Sequence, residues 1–102
     1  MTKYINMLLM LLLSFLFCSC GKLQSSPQLI KADTAYNQGN FKKSIEILKR
    51  LIEEDPTRPE YYHKLGVAYF SDGRKADAQQ QVEELQKMGQ KDLANDLKQL
   101  IK

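Results

Sequence analysis

The sequence predicts an all-α fold of two helical hairpins followed by a C-terminal capping helix. The first observation is an internal repeat: the chain overlays on itself at an offset of 34 residues, with Gly39 matching Gly73 and Leu51 matching Leu85. The second is that apolar residues in each unit recur at three- and four-residue steps, which is the spacing of one helix face. A repeat of this period is typical of stacked hairpins that bury their apolar faces against their neighbours.

The second unit has the fuller pattern. It reads Tyr62-x2-Leu65-Gly66-x2-Tyr69, followed by a small residue at Ala78. This pattern resembles the tetratricopeptide repeat family, and the similarity covers about residues 25–90. The resemblance implies that the first helix of each hairpin lines a concave groove, and that the groove binds a protein or peptide partner.

The positions of glycine and proline predict where several helices end and begin. Gly39 and Gly73 are predicted to end the first helix of each hairpin, because glycine adopts a left-handed backbone at little cost. Pro59 is predicted to begin the third helix, at a position that needs no amide donor. A fifth helix is predicted with Asp92 as its cap. Its apolar face is formed by Leu93, Ala94, Leu97, Leu100 and Ile101.

By the resemblance, nine residues are predicted to line the groove. They are Leu29, Asp33, Tyr36, Asn37, Glu60, His63, Val67, Phe70 and Ser71. Tyr36 and Phe70 stand 34 residues apart and are therefore equivalent residues of the two repeats. Two interpretations remain open: these rings anchor a partner, or they pack between the repeats. Asn37 is predicted to hydrogen-bond a partner's backbone. The lysine–asparagine clamp by which some relatives hold a terminal carboxylate is missing, since Leu29 and Asp33 occupy those places.

The leader predicts an exported lipoprotein. Residues 1–19 combine Lys3 with an apolar run from Met7 to Phe17, the length of a signal-peptide core. Ser19 before Cys20 resembles a bacterial lipobox, which implies that Cys20 carries diacylglycerol and an amide-linked chain such as palmitate. The predicted organisation is a signal peptide at 1–19, the lipidated cysteine and tether at 20–28, and the repeat domain at 29–102.

An uncleaved membrane anchor with incidental cysteines is the alternative interpretation of the leader. The residue after Cys20 is glycine, and no aspartate stands there. In the enteric lipoprotein sorting rule this implies the outer membrane, and we expect the domain to face the periplasm.

Several function classes have little support. The repeat region contains one histidine and no cysteine, so we expect no catalytic residues, no metal site and no cofactor. Basic residues alternate with acids, as in Lys49-Arg50 beside Glu53-Glu54, which disfavours nucleic-acid binding. Two repeats fall below the usual minimum of about three. Partner binding or self-association would supply additional burial.

These observations predict a membrane-anchored, non-catalytic lipoprotein that mediates protein–protein interaction, such as an envelope assembly or scaffold factor. The alternative is a non-catalytic accessory subunit of an envelope or cell-wall enzyme. A small-molecule site is disfavoured, because two repeats make an open trough and small ligands prefer enclosed clefts.

Overall fold

The computed structural model describes residues 26–102, and all regular secondary structure in that range is helical. The helices are α1 Pro27–Asn37, α2 Phe41–Glu54, α3 Pro59–Ser71, α4 Lys75–Lys87 and α5 Lys91–Ile101. Two hairpins followed by a final helix were predicted, and this architecture is confirmed. The predicted signal peptide at 1–19, Cys20 and the first part of the tether lie outside the described residues.

The first helix begins earlier than the sequence boundary at residue 29. Pro27 occupies the first helical turn, and the Ser26 hydroxyl accepts a hydrogen bond from the Gln28 amide at 3.3 Å. Serine before a helix and proline at its first position are both favourable there, because the first amides have no partner within the helix. Residues 27 and 28, predicted as tether, therefore belong to α1.

Helices α1, α3 and α4 all end in the same turn. A glycine with positive φ follows each of them: Gly39 at 79°, Gly73 at 79° and Gly89 at 76°. The next residue then donates its amide to the carbonyl five residues back, as Asn40 to Ala35 at 2.8 Å, Arg74 to Tyr69 at 2.8 Å and Gln90 to Leu85 at 2.9 Å. This is the Schellman arrangement, which satisfies carbonyls at a helix C-terminus. It confirms the predicted helix ends at Gly39 and Gly73.

A different connection joins the two hairpins. The Asp55 carboxylate accepts hydrogen bonds from the Thr57 hydroxyl at 2.5 Å and amide at 3.2 Å, and from Arg58 Nε at 3.1 Å. These bonds, chiefly the one from the Thr57 hydroxyl, lower the pKa of Asp55. Pro59 then begins α3, as predicted.

Helix α3 lies at the centre of the array and packs against α2, α4 and α5. Tyr62, Leu65 and Tyr69, which form the repeat pattern of the second unit, all pack on the core: Leu65 and Tyr69 are buried and Tyr62 is half-buried. Tyr61, which the pattern does not include, is buried as well. The Tyr62 hydroxyl donates to the Pro56 carbonyl at 3.0 Å. Burial raises the pKa of this phenol, and the nearby Glu84 carboxylate raises it further.

The last helix closes the end of the core. Leu97 is completely buried, and a Cβ placed on Gly66 of α3 would overlap the Leu97 side chain. Glycine at position 66 therefore permits the close contact between α3 and α5. Two predictions for α5 are corrected. Leu100 is 47% exposed rather than part of the buried face, and Asp92 lies within the first turn while Gln90 occupies the cap position.

Candidate partner-binding groove

The first helices of the two hairpins, α1 and α3, are joined by two polar contacts. Lys64 Nζ donates to both carboxylate oxygens of Asp33, at 2.9 and 3.1 Å. The hydroxyls of Tyr36 and Ser71 are 2.8 Å apart. An ion pair as exposed as Lys64–Asp33 contributes at most about 1 kcal/mol. We therefore regard these contacts as fixing the register of the helices more than stabilising the fold.

A cleft of about 380 Å³ opens between α1 and α3. Its walls come from both helices, and its floor comes from α2. The lining residues are Asp33, Tyr36, Asn37, Ser44, Leu48, His63, Lys64 and Val67. The cleft thus combines a floor of Ser44 and Leu48 and an aromatic edge with a paired acid and base, a composition that suits a polypeptide more than a purely apolar ligand.

His63 connects the cleft to the last helix. Its side chain is 23% exposed, and Nε2 lies 2.9 Å from Asp96 Oδ2 of α5. The first helix of each hairpin and α5 are therefore linked in sequence by side-chain contacts on one side of the array. The cleft itself is lined by α1, α2 and α3, and the His63–Asp96 contact joins its α3 wall to α5.

The two aromatic residues predicted for the groove differ in their contacts. The Tyr36 ring packs on Phe41 of α2, with centroids 5.2 Å apart and planes tilted by 56°. Its remaining surface lines the cleft. Phe70 is half-buried against the core and is not part of the cleft lining. Phe70 therefore agrees with the interpretation that the ring packs inside the array. Tyr36 has both a packing contact and a surface that faces the cleft.

The structure brings five of the nine predicted residues together in the cleft: Asp33, Tyr36, Asn37, His63 and Val67. Leu29 is only 9% exposed and lies in the core, because α1 has few other large apolar residues to pack on α2. Glu60 is exposed in the first turn of α3. Ser71 is half-buried at the other end of α3, where it contacts Tyr36.

Four residues of this region were missed by sequence reasoning: Ser44, Leu48, Lys64 and Asp96. Helical spacing was sufficient to find Lys64, since it stands three residues before Val67 and therefore shares its face. Ser44 and Leu48 belong to α2, which the groove prediction had left out. Asp96 has no local signal, because its partner His63 lies in another helix.

Within residues 26–102 no group of histidine, cysteine, aspartate and glutamate side chains could hold a metal ion. No helix in the same range has both the length and the apolarity to cross a bilayer. Every buried side-chain nitrogen or oxygen in this part of the chain has a hydrogen-bond partner.

A comparison with family models identifies the repeat. A tetratricopeptide repeat model matches residues 35–101. The chain belongs to the tetratricopeptide repeat family. The match includes α2 to α5 but only the end of α1, which is consistent with the divergent sequence of that helix. Neither a curated protein nor a solved structure matches the chain significantly. Membership of this family assigns the hairpins a general role in protein–protein interaction.

Proposed function

We propose that this protein is a lipid-anchored component of the bacterial cell envelope that binds a protein partner in the groove between α1 and α3. Its role is that of an assembly or scaffold factor rather than an enzyme. The proposal combines the interaction role of tetratricopeptide repeats with the lipobox-like sequence that ends at Cys20.

The anchor is supported by the leader sequence. Lys3, an apolar core and Ser19 before Cys20 occur in the order that lipoprotein export requires. Acylation of Cys20 by more than one chain would hold the protein stably, at about 0.8 kcal/mol for each buried methylene. Gly21 after the cysteine favours the outer membrane, with the repeat domain in the periplasm.

The binding role rests on one observation: the Asn37 side chain at the cleft is exposed and has no hydrogen-bond partner within residues 26–102. The neighbouring polar groups are already paired, as Asp33 with Lys64 and Tyr36 with Ser71. The Asn37 amide therefore has both a donor and an acceptor available for a partner's backbone, beside the apolar surfaces of Tyr36 and Val67.

The groove is tested with a photo-crosslinking amino acid at position 37, and with the same residue at position 80 as control. Gln80 is exposed on α4 and lies outside the cleft. We expect position 37 to give a discrete crosslinked protein in native membranes, and position 80 to give none. The same product from both positions, or from neither, would contradict the groove proposal. Mass spectrometry of the product would distinguish an assembly factor from the accessory subunit of an envelope enzyme.

The binding energy is tested with Asn37→Lys and the matched control Gln80→Lys. We expect the first to weaken binding of the crosslinked partner about tenfold, the effect of an interface residue worth 1 to 2 kcal/mol, and the second to leave it unchanged. These variants are preferable to Tyr36→Ala, because Tyr36 also contacts Phe41 and Ser71 and its loss would perturb the fold.

The anchor is tested separately with a fatty-acid probe. Wild-type chain should incorporate the probe, and Cys20→Ser should not. Equal labelling of both would contradict lipidation at Cys20, and labelling of neither would favour the uncleaved-anchor alternative.

A further inference from the structure

The end of the array opposite α5 has a surface that the groove does not use. It is formed by the sides of α1 and α2 that face away from α3, and we call it the end face. It is a shallow depression of about 530 Å³ in which Ile30 and Ile47 are accompanied by Lys31, Lys43 and Arg50. Ile30 is 55% exposed, the most exposed large apolar residue in the described part of the chain.

The end face is positively charged. Among residues 26–102, neither Lys31 nor Lys43 lies within ion-pair distance of a carboxylate. Arg50 is paired with Glu46 at 2.9 Å, and Glu54 adds one carboxylate at the edge of the face. The first acidic residue of the whole sequence is Asp33, so the segment from Cys20 to Ser26 that leads to the end face contributes Lys22 and no acids.

We propose that the end face rests on the headgroups of anionic phospholipids, with Ile30 at the bilayer surface and Lys31 and Lys43 near the phosphates. This inference rests on the lipid anchor of the proposed function. Six residues lead from Cys20 to Ser26, and they can span at most about 20 Å. The domain is therefore confined close to the bilayer, and α1 begins beside the end face, where Gln28 lines the depression.

An apolar residue surrounded by lysines suits an anionic bilayer surface, since each lysine near such a surface raises the equilibrium constant for membrane binding about fivefold. The depression and the groove cleft share no residues. Docking of the end face would therefore leave the cleft open to a partner.

A second copy of the chain fits the end face less well. In a stack that continued the repeat, the first hairpin would become an internal one, like the second. Lys31 and Thr34 stand 34 residues before Leu65 and Ala68, both of which are buried. Such a stack would bury a lysine at the position of Leu65, and an unpaired buried charge is strongly unfavourable.

The experiment uses the acylated chain in vesicles and an introduced cysteine that carries an environment-sensitive fluorophore. Residues 21–102 contain no cysteine, so Ile30→Cys and Leu100→Cys each provide a single reporter thiol in the processed protein. Leu100 is the matched control, because it is the other exposed large apolar residue and lies at the opposite end of the array. The vesicles are phosphatidylcholine alone, or equal parts phosphatidylcholine and phosphatidylglycerol.

We expect the probe at position 30 to be quenched by spin-labelled lipid in the anionic vesicles only, and the probe at position 100 in neither. Lys31→Glu with Lys43→Glu should lower the ratio of docked to undocked protein by at least about 25-fold, since loss of each lysine lowers it roughly fivefold and each new carboxylate is repelled by the anionic lipid. The same charge change at Lys42 and Lys49, which are exposed on α2 outside the depression, should have a much smaller effect.

Equal quenching at positions 30 and 100, equal quenching in both vesicles, or equal effects of the two charge reversals would overturn the inference. If quenching is absent and a discrete dimer forms, the end face binds a second copy of the chain instead of the bilayer. If the fatty-acid probe does not label Cys20, the lipid anchor of the proposed function is contradicted. The position 30 measurement, repeated with Cys18→Ser and Cys20→Ser, still decides the role of the end face.

Discussion

The first helices of the two hairpins, α1 and α3, occupy equivalent places in the repeat but have different surfaces. Helix α1 buries only Leu29 and two alanines. Helix α3 buries Tyr61, Leu65, Gly66, Ala68 and Tyr69. The reason is the number of neighbours: α3 packs on α2, α4 and α5, whereas α1 packs chiefly on α2 within the described residues. The number of apolar residues in a repeat therefore depends on how many helices pack against it. This explains why the family pattern is weak in the first unit, which lies at the end of the array.

The largest effect is expected from substitutions at equivalent positions of α1 and α3. Leu65→Ala should lower the free energy of unfolding by about 2–5 kcal/mol, since it removes buried methyl groups and leaves a cavity. Lys31→Ala, 34 residues earlier, should change it by less than about 0.5 kcal/mol, because the side chain is exposed. Urea denaturation followed by circular dichroism measures both. Similar losses for the two variants would show that α1 and α3 have equivalent environments.

A smaller effect is expected where the hairpins are alike. Gly39 and Gly73 both have φ of 79°. Gly39→Ala and Gly73→Ala should each reduce stability by about 1 kcal/mol, because a Cβ is unfavourable in the left-handed region. Gln38→Ala and Asp72→Ala are the controls, since these neighbours have φ of −83° and −85°. Thermal melts measure the loss of stability in each variant. Equal losses in the two glycine variants would show that the two turns are equivalent, and unequal losses would mean that each turn depends on the helices that it joins.

The smallest effect concerns the connection between the hairpins. The pKa of Asp55 is below its ordinary value of 3.8, chiefly because the Thr57 hydroxyl donates to the carboxylate. A depressed pKa in the folded state means that the stabilisation is complete above the unfolded pKa and is lost as pH falls through the folded pKa. Thr57→Val should raise the pKa of Asp55 towards 3.8, and Thr34→Val should leave it unchanged. NMR titration of the Asp55 carboxyl carbon measures both, and an unchanged pKa in Thr57→Val would remove the assigned cause.

Local chemistry explains what could be predicted in this fold. The glycines at 39 and 73 and the proline at 59 act through their own backbone, so the turn positions and the start of α3 could be read from the residues alone. The start of α1 was placed two residues late, although serine before proline is a helix-start signal. In α5 the spacing predicts an apolar face wider than the buried one, because spacing cannot decide whether Leu97 or Leu100 faces the neighbouring helix.

The candidate site was less predictable than the fold. The resemblance placed Asp33, Tyr36, Asn37, His63 and Val67 in the groove, and the structure brings these residues together. Lys64–Asp33 and His63–Asp96 were not foreseen, because each pair joins residues about one repeat apart and depends on how the helices are aligned.

The amino-acid sequence is sufficient to predict the helical class, the repeat period and the turns, because these depend on spacing along the chain and on the conformational preferences of single residues. The tertiary structure was needed to show which residues at the edge of an apolar face are exposed, which polar groups are paired across the cleft, and that a basic face with exposed Ile30 lies at one end. Those features depend on distances between helices, which residue spacing along one helix does not determine.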